Sequence, residues 1–234
     1  MASNRKSTAA GKGDGKRVSM TEAAYHKIRG QILDNELPAG FQITEQELAE
    51  RLEISRTPTR EALLLLQREG LIEIWPRHGM RVKHISVEDV REIYDIITVL
   101  EGRAARLAAQ RNLPKRALDK MRDCIAQMDA ALAEDDLRGW ADADRQFHQA
   151  LVEASGNERL AEIVATLTGQ AHRLRMITLP LRPKPSGSNR DHAAVVDAIA
   201  KGDPEAAEEI HLRHREESGA MLIKLLTTHQ ITSL

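Results

Sequence analysis

The chain has 234 residues, of which 41% are hydrophobic and 29% are charged, and this length is enough for two domains of ordinary size. Its net charge is −1, but residues 1–84 carry 14 Lys plus Arg against 11 Asp plus Glu, whereas residues 85–234 carry 20 against 24. A single cysteine, Cys124, excludes a disulfide within the chain, and no apolar run reaches membrane-spanning length. We therefore expect a cytoplasmic protein in a reducing compartment.

The chain begins with a segment that has almost nothing to bury. Residues 1–18 are rich in Gly, Ser and Lys, and they are predicted to form a disordered basic tail. A first helix over residues 19–35 follows, with Ala24, Ile28, Ile32 and Leu33 spaced to face a core. It opens a first domain, which we predict to span residues 19–84.

Residues 44–60 predict two short helices joined by a tight turn. Thr44 and Glu47 form a capping box at the start of one helix. Ser55 is predicted to cap the next helix, and Pro58 lies in its first turn, where a missing N–H does no harm. The predicted inward positions of this second helix are Ala62, Leu63, Leu65 and Leu66.

The first turn of the second helix is crowded with polar side chains. It carries Arg56, Thr57, Thr59 and Arg60. Arginine can bind guanine edges or phosphates, and threonine can reach either, so this turn suits the major groove of DNA. The spacing alone is equally compatible with a surface helix whose arginines are solvated.

A small hairpin is predicted directly after these helices. Residues 71–75 and 80–83 read as short strands, and residues 76–79 read as the turn between them. Helices followed by such a hairpin make a winged helix. The wing tip, Arg77-His78-Gly79, is basic, and Gly79 lets the backbone approach DNA closely.

Residues 19–84 resemble the DNA-binding domain of the GntR family of bacterial transcription regulators. The segment SRTPTREAL carries the most specific part of the match. The resemblance implies operator contacts by Arg56, Thr57, Arg60, His78 and Gly79. One departure is Gln46, on the helix capped by Thr44 and Glu47. Members of the family often have a basic residue at this position, and the change is expected to alter operator preference.

Residues 85–234 are predicted to form a second, all-helical domain. Residues 85–89 make a short linker in which Ser86 and Asp89 form a helix cap. No strand pattern follows, so the fold class is mostly α, a winged helix-turn-helix plus a bundle of about six helices. The predicted helices cover residues 87–111, 114–134, 138–155, 157–178, 188–201 and 204–228, the last capped by Asp203 with Pro204 at its first position.

Four side chains on three of these helices could bind a metal. Asp144 and His148 lie on one helix face, four residues apart, and His192 and His214 lie on the last two helices. One carboxylate with three imidazoles would suit zinc, nickel or manganese. The spacing leaves open that these are scattered surface histidines, and it leaves His211 in competition with His214 for the inward face.

Residues 87–228 resemble the FCD ligand-binding domain found in one branch of GntR regulators. The matching segments are DADRQFHQALVEASGN, RDHAAVVDAIAKGDPEAA and HLRHRE. The resemblance implies a divalent metal held by Asp144, His148, His192 and His214, and a small carboxylate effector bound through the metal. Several members carry an arginine where this chain has Ile97. The basic side chains left for the effector are Arg145, Arg175 and Arg190, with Arg173 as a further candidate, although the sequence favours a surface position for each of them.

Together these features predict a ligand-responsive repressor that binds operator DNA as a homodimer, since reading a palindrome requires two heads. Two alternatives remain open. One is a direct metal sensor. The other is a metalloenzyme with a winged-helix head, for which Asp191 is the one spare general base.

Overall fold

The computed structural model describes residues 19–75 and 78–229. The predicted tail, residues 76 and 77 of the wing turn, and residues 230–234 lie outside the described part. Within it, helices dominate and a single small sheet is present, which confirms the mostly α fold class.

The N-terminal part is a three-helix unit with a small antiparallel sheet. The elements are α1 (Met20–Leu33), β1 (Gln42–Ile43), α2 (Glu45–Leu52), α3 (Arg56–Arg68), β2 (Ile72–Trp75) and β3 (Gly79–Val82). The strands lie in the order β1–β3–β2, and Ile74 of β2 pairs with Met80 of β3. The sequence does not predict strand β1, because two residues are too short to show an alternating pattern.

Local signals in the sequence explain where these helices begin and end. The capping box of Thr44 and Glu47 is present at the start of α2, as predicted. Glu53 adopts a left-handed conformation, with φ of 58°, and ends α2 in the tight turn before α3. The three helices and the sheet then bury one apolar core, to which Ile28, Leu48 and Leu63 belong.

Two predictions about α3 are wrong. The side chain of Ser55 makes no cap hydrogen bond, and Leu65 is 38% exposed. The buried face of α3 instead runs through Thr59, Ala62, Leu63 and Leu66, which lie one helical turn apart. The apolar stripe therefore begins earlier on the helix than the leucines alone suggested.

The C-terminal part is a bundle of six long helices, at positions close to those predicted. Its core contains Trp140, Phe147 and Leu151, and Cys124 packs there as expected. No helix in the described residues is long and apolar enough to cross a membrane. The helices are α4 (Val87–Gln110), α5 (Lys115–Ala133), α6 (Leu137–Ala154), α7 (Glu158–Thr178), α8 (Ser186–Lys201) and α9 (Pro204–Thr228).

Helix α7 connects the bundle to the winged helix. Nε2 of Gln170 donates to the backbone oxygen of Glu69 at 3.0 Å, and Nη1 of Arg173 donates to that of Lys83 at 2.7 Å. Arg173 is fully buried, so the expectation that it is a surface arginine is wrong. One face of α7 is thus fixed against the residues that follow α3 and β3.

Candidate functional site

The first turn of α3 presents polar side chains to solvent. Arg56, Thr57 and Arg60 are exposed there, and Gln46 is exposed on α2. The side chain of Ser55 does not cap α3 and Pro58 has no N–H, so the amides of Arg56 and Thr57 have no cap partner in Ser55, and such donors bind phosphate well. The exposed turn can therefore meet both base edges and the DNA backbone.

Thr59 does not belong to this exposed surface, which corrects its assignment as a DNA contact. It is fully buried, and its Oγ1 donates to the backbone oxygen of Ser55 at 3.0 Å. Its position three residues before Ala62 and four before Leu63 places it on the core face of α3.

The tip of the wing also carries the predicted residues, with an internal reason for its glycine. His78 is exposed, whereas Arg77 lies outside the described residues. Gly79 has φ of +83°, and a Cβ there would lie 2.1 Å from the backbone oxygen of Ile43. Gly79 is therefore needed for the close approach of β3 to β1, in addition to any contact with DNA.

We expect Gly79→Ala to lower the free energy of unfolding by about 2 kcal/mol or more, because the methyl group collides with backbone and the left-handed conformation is strained. Chemical denaturation measures the change. Gly30→Ala is the control: its Cβ meets nothing within 4 Å inside α1, so it should stabilise by about 0.5–1 kcal/mol. Equal stability of Gly79→Ala and the parent would contradict this account of the wing.

In the bundle, the four predicted metal ligands converge. Asp144 and His148 come from α6, His192 from α8 and His214 from α9, and each is at most 4% exposed. The Nε2 atoms of His148 and His192 are 3.3 Å apart, and Oδ1 of Asp144 lies 3.6 and 3.7 Å from them. A nitrogen of His214 lies within 4.8 Å of the other two imidazoles.

This spacing fits a bound divalent ion. Two imidazole nitrogens at about 2.1 Å from one ion are themselves about 3.0–3.4 Å apart. Burial lowers the pKa of all three histidines, that of His214 to about 4, so each ring is neutral at neutral pH and has one unprotonated nitrogen that can bind metal. The residues present therefore fit the predicted metal.

A set of buried partners that sequence reasoning missed surrounds these ligands. Glu101 of α4 lies 2.9 Å from Nδ1 of His148 and 3.0 Å from Nε2 of His211, and Arg215 pairs with it at 2.5 Å. Burial favours a raised pKa for Glu101, but Arg215 and His148 hold it well below its usual value. A charged Glu101 fixes the orientation of His148, as carboxylates commonly do for metal-binding histidines.

The sequence did contain a signal for Glu101. It interrupts a stripe of α4 in which Ile97, Ala104, Ala105 and Ala108 are all buried. A charged residue in the middle of an apolar stripe is rarely buried without a partner.

The sequence left His211 and His214 as competitors for the inward face of α9, and the structure buries both of them in one cluster. Asp191 lies 3.4 Å from Nδ1 of His214 and is thus a partner of one of the predicted ligands.

The predicted effector arginines fall into different environments. Arg175 is 4% exposed and pairs through Nη1 with Asp144. The expectation that Arg175 lies at the surface is therefore wrong. Arg145 is partly exposed and lies 3.7 Å from Asp142. Arg190 is exposed on α8, so it does not face the buried cluster, which corrects its grouping with the others.

Three guanidinium groups in the bundle, those of Arg173, Arg175 and Arg182, have buried donors with no hydrogen-bond partner in the described residues. Nε and Nη2 of Arg175 are buried without a hydrogen bond, and so are Nε and Nη2 of Arg182, a residue that the sequence did not single out. Burial lowers the pKa of Arg175 to about 10, so it remains charged at neutral pH. Buried, charged and unsatisfied donors are costly unless an anion meets them.

The buried histidines predict a loss of stability in acid. Burial lowers the pKa of His211 to about 3 and that of His214 and His172 to about 4, against 6.5 in the unfolded chain. Below pH 6.5 the unfolded chain therefore binds protons that the folded chain does not, and stability falls with pH down to about 4. We expect metal-free protein to lose at least about 2 kcal/mol between pH 6.5 and 5.

Urea denaturation in EDTA at several pH values measures this loss. Carboxylates such as Glu101 have unfolded pKa values near 4.5 and contribute at lower pH, so the window above pH 5 reports mainly on histidine. His211→Gln should flatten the slope. A stability that is constant between pH 6.5 and 5 would contradict neutral burial of these side chains.

The fold and these two groups of residues define a class of protein, a winged-helix head joined to an all-helical bundle. Comparison with known sequences agrees. Residues 20–82 match the model for bacterial regulatory proteins of the gntR family, and residues 92–217 match the FCD domain. The chain therefore belongs to the FCD-containing branch of the GntR family and is a DNA-binding transcription regulator.

Individual relatives agree with this assignment. The chain is 44% identical over 132 residues to an HTH-type transcriptional regulator in the TAR-I ttuE-ttuC′ intergenic region of Agrobacterium vitis, covering 56% of this chain and 77% of the relative. It is 33% identical over 184 residues to the "Probable D-xylose utilization operon transcriptional repressor" of Paenarthrobacter nicotinovorans, and the match covers 79% of this chain and 80% of the relative. The solved structure of E. coli McbR/YncC shares the fold, with a TM-score of 0.79 and 22% sequence identity. The match covers 88% of this chain and 98% of that structure.

Proposed function

We propose that this protein is a homodimeric repressor that releases operator DNA when a small carboxylate binds at a metal centre in the bundle. The convergence of Asp144, His148, His192 and His214 beneath a winged-helix head carries the proposal. When bound, the ion would supply positive charge and open coordination positions for a carboxylate. The similarity to a relative named as a repressor supports the direction of regulation.

The unsatisfied guanidinium groups support the choice of an acid as the effector. Arg175 contacts the ligand Asp144, so its free donors lie beside the metal-binding residues. Arg182 adds a second buried set of donors. A small organic acid can satisfy both the metal and these donors, and it can do so although Ile97 replaces the arginine that is common in the family.

A regulator is favoured over a metalloenzyme by the same contacts. The buried carboxylate next to the proposed ligands, Glu101, is paired with Arg215 and His211, and its lowered pKa makes it a weak proton acceptor. Asp191 contacts His214 and is engaged as well. The relatives of this chain are transcription regulators.

The function can be tested by fluorescence anisotropy with the promoter fragment that adjoins the gene. We expect the metal-loaded protein to release DNA when small mono- or dicarboxylates are added, and the EDTA-treated protein to bind DNA without responding. Arg182→Gln should lose the response and keep DNA affinity, whereas the exposed Arg190→Gln should retain both. Release by metal alone would identify a direct metal sensor instead.

We also propose that the bundle forms the dimer contact. Val99 and Ile96 of α4 are 63% and 46% exposed, and Ile163 of α7 is 52% exposed. Exposed apolar side chains of this size, on helices that pack against each other, suit a protein interface. Helix α5 offers Gln127, which is exposed and polar, as a control position.

We expect Val99→Asp to convert the dimer into a monomer, because burying a carboxylate in an apolar interface is strongly unfavourable. Sedimentation at micromolar concentration measures the state. Gln127→Asp introduces the same carboxylate on the exposed surface of α5 and should remain dimeric. A dimeric Val99→Asp variant would move the interface away from α4.

A further inference from the structure

A second cluster of metal-binding side chains lies between the winged helix and the bundle. Asp34 ends α1, Asp142 belongs to α6, and His172 belongs to α7. One carboxylate oxygen of each aspartate and one ring nitrogen of His172 lie within 4.8 Å of one another. This cluster shares no residue with the four ligands in the bundle core.

His172 is the unusual member of the cluster. It is 1% exposed, and its Nδ1 has no hydrogen-bond partner in the described residues. A buried imidazole nitrogen without a partner costs free energy. Burial lowers the pKa of His172 to about 4, so the ring is neutral at pH 7 and a bound proton does not satisfy it. A cation between the two carboxylates and the ring nitrogen nearest them would bind the unprotonated nitrogen of this neutral ring.

The surroundings of Asp34 and Asp142 also favour a bound cation. Asp34 caps the C-terminal end of α1, where the helix dipole is negative and a carboxylate is unfavourable. The guanidinium of Arg145 lies 3.7 Å from Asp142, which is too far for a hydrogen bond. A divalent cation would stabilise both carboxylates and the end of the helix.

We propose that Asp34, Asp142 and His172 form a second divalent-cation site that ties the DNA-binding head to the sensor bundle. Two carboxylates and one imidazole, partly open to solvent, suit Mn²⁺ or Zn²⁺ with water completing the shell. The ion would hold α1 against α6 and α7 next to the hydrogen bonds of Gln170 and Arg173. It would thereby limit how far the head can move relative to the bundle.

Titration of the EDTA-stripped full chain with Mn²⁺ by calorimetry tests this site. We expect two equivalents per chain in the parent and one in Asp34→Asn. Glu36→Gln removes the same charge from an exposed neighbour and should keep two. Circular dichroism in EDTA checks that each variant is folded. Equal stoichiometry in Asp34→Asn and the parent would overturn the proposal.

Variants in the core separate this site from the metal centre of the proposed function. His214→Ala should retain one equivalent, and adding Asp34→Asn to it should remove the last. If the core centre holds no metal, the parent binds one equivalent that Asp34→Asn abolishes, and the second site stands alone. If Asp34→Asn leaves the His214→Ala variant with its one equivalent, the second site is refuted.

Discussion

Replacing Arg56 or Arg60 with alanine is expected to abolish specific operator binding while leaving the fold intact. Both side chains are exposed in the first turn of α3, and neither contributes to the core. A bidentate contact to a base contributes about 1–3 kcal/mol, and a dimer loses it in both heads. Affinity should therefore fall by about 30-fold or more.

Arg68 provides the matched control for this experiment. It is exposed in the last turn of the same helix, so Arg68→Ala removes the same charge from a position outside the proposed reading surface. Anisotropy titrations at fixed salt, with operator and with unrelated DNA, separate loss of specificity from loss of general charge attraction. An Arg56→Ala or Arg60→Ala variant with unchanged operator affinity would remove that residue from the recognition surface.

The second large effect concerns the metal centre. Metal that binds only the folded chain stabilises it by about 4 kcal/mol at a free concentration 1,000 times Kd. We expect this stabilisation to disappear in His148→Ala, His192→Ala and His214→Ala, together with the response to carboxylates, while DNA binding persists. Metal content and thermal melting with and without EDTA, on protein without a histidine tag, provide the measurements.

Two further variants sharpen the metal experiment. His211→Ala removes a partner of Glu101, which orients His148, so it should weaken metal affinity about 10–100-fold without abolishing binding. His84→Ala removes an exposed histidine and should change nothing. Wild-type protein that binds no zinc, nickel or manganese in the bundle core would refute the centre and leave a regulator without a metal there.

The elements of the fold could be predicted because their signals are local. Capping boxes at Thr44 and Ser86 and the Asp203–Pro204 start mark helix ends within four residues of sequence. Thr59 was misplaced because its β-branched hydroxyl side chain looks polar, yet its hydroxyl bonds within its own helix and its methyl group can enter the core. Which face of a helix is buried depends on all its neighbours, and the sequence of one turn does not contain them.

The candidate site was predictable in part for a related reason. Asp144 and His148 share a face at i and i+4, a relation fixed by helix geometry alone. Glu101 and Arg215 meet across 114 positions of sequence, and only the packing of α4 along α9 brings them together. Arg175 and Arg182 could not be told from surface arginines in the sequence, because the burial of their donors depends on how α7 and the segment after it pack against the other helices.

Two arginines within one turn of helix α7 contact different parts of the protein. Arg173 holds the backbone after the wing, and Arg175 contacts Asp144 in the bundle. Since a helical turn is stiff, an acid that drew the backbone of α7 at Arg175 toward it would also move the anchor of the head. Such coupling is reciprocal, so DNA occupancy must change effector affinity by the same factor as the effector changes DNA affinity. A promoter-bound molecule would therefore sense the cellular acid over a different concentration range from a free one.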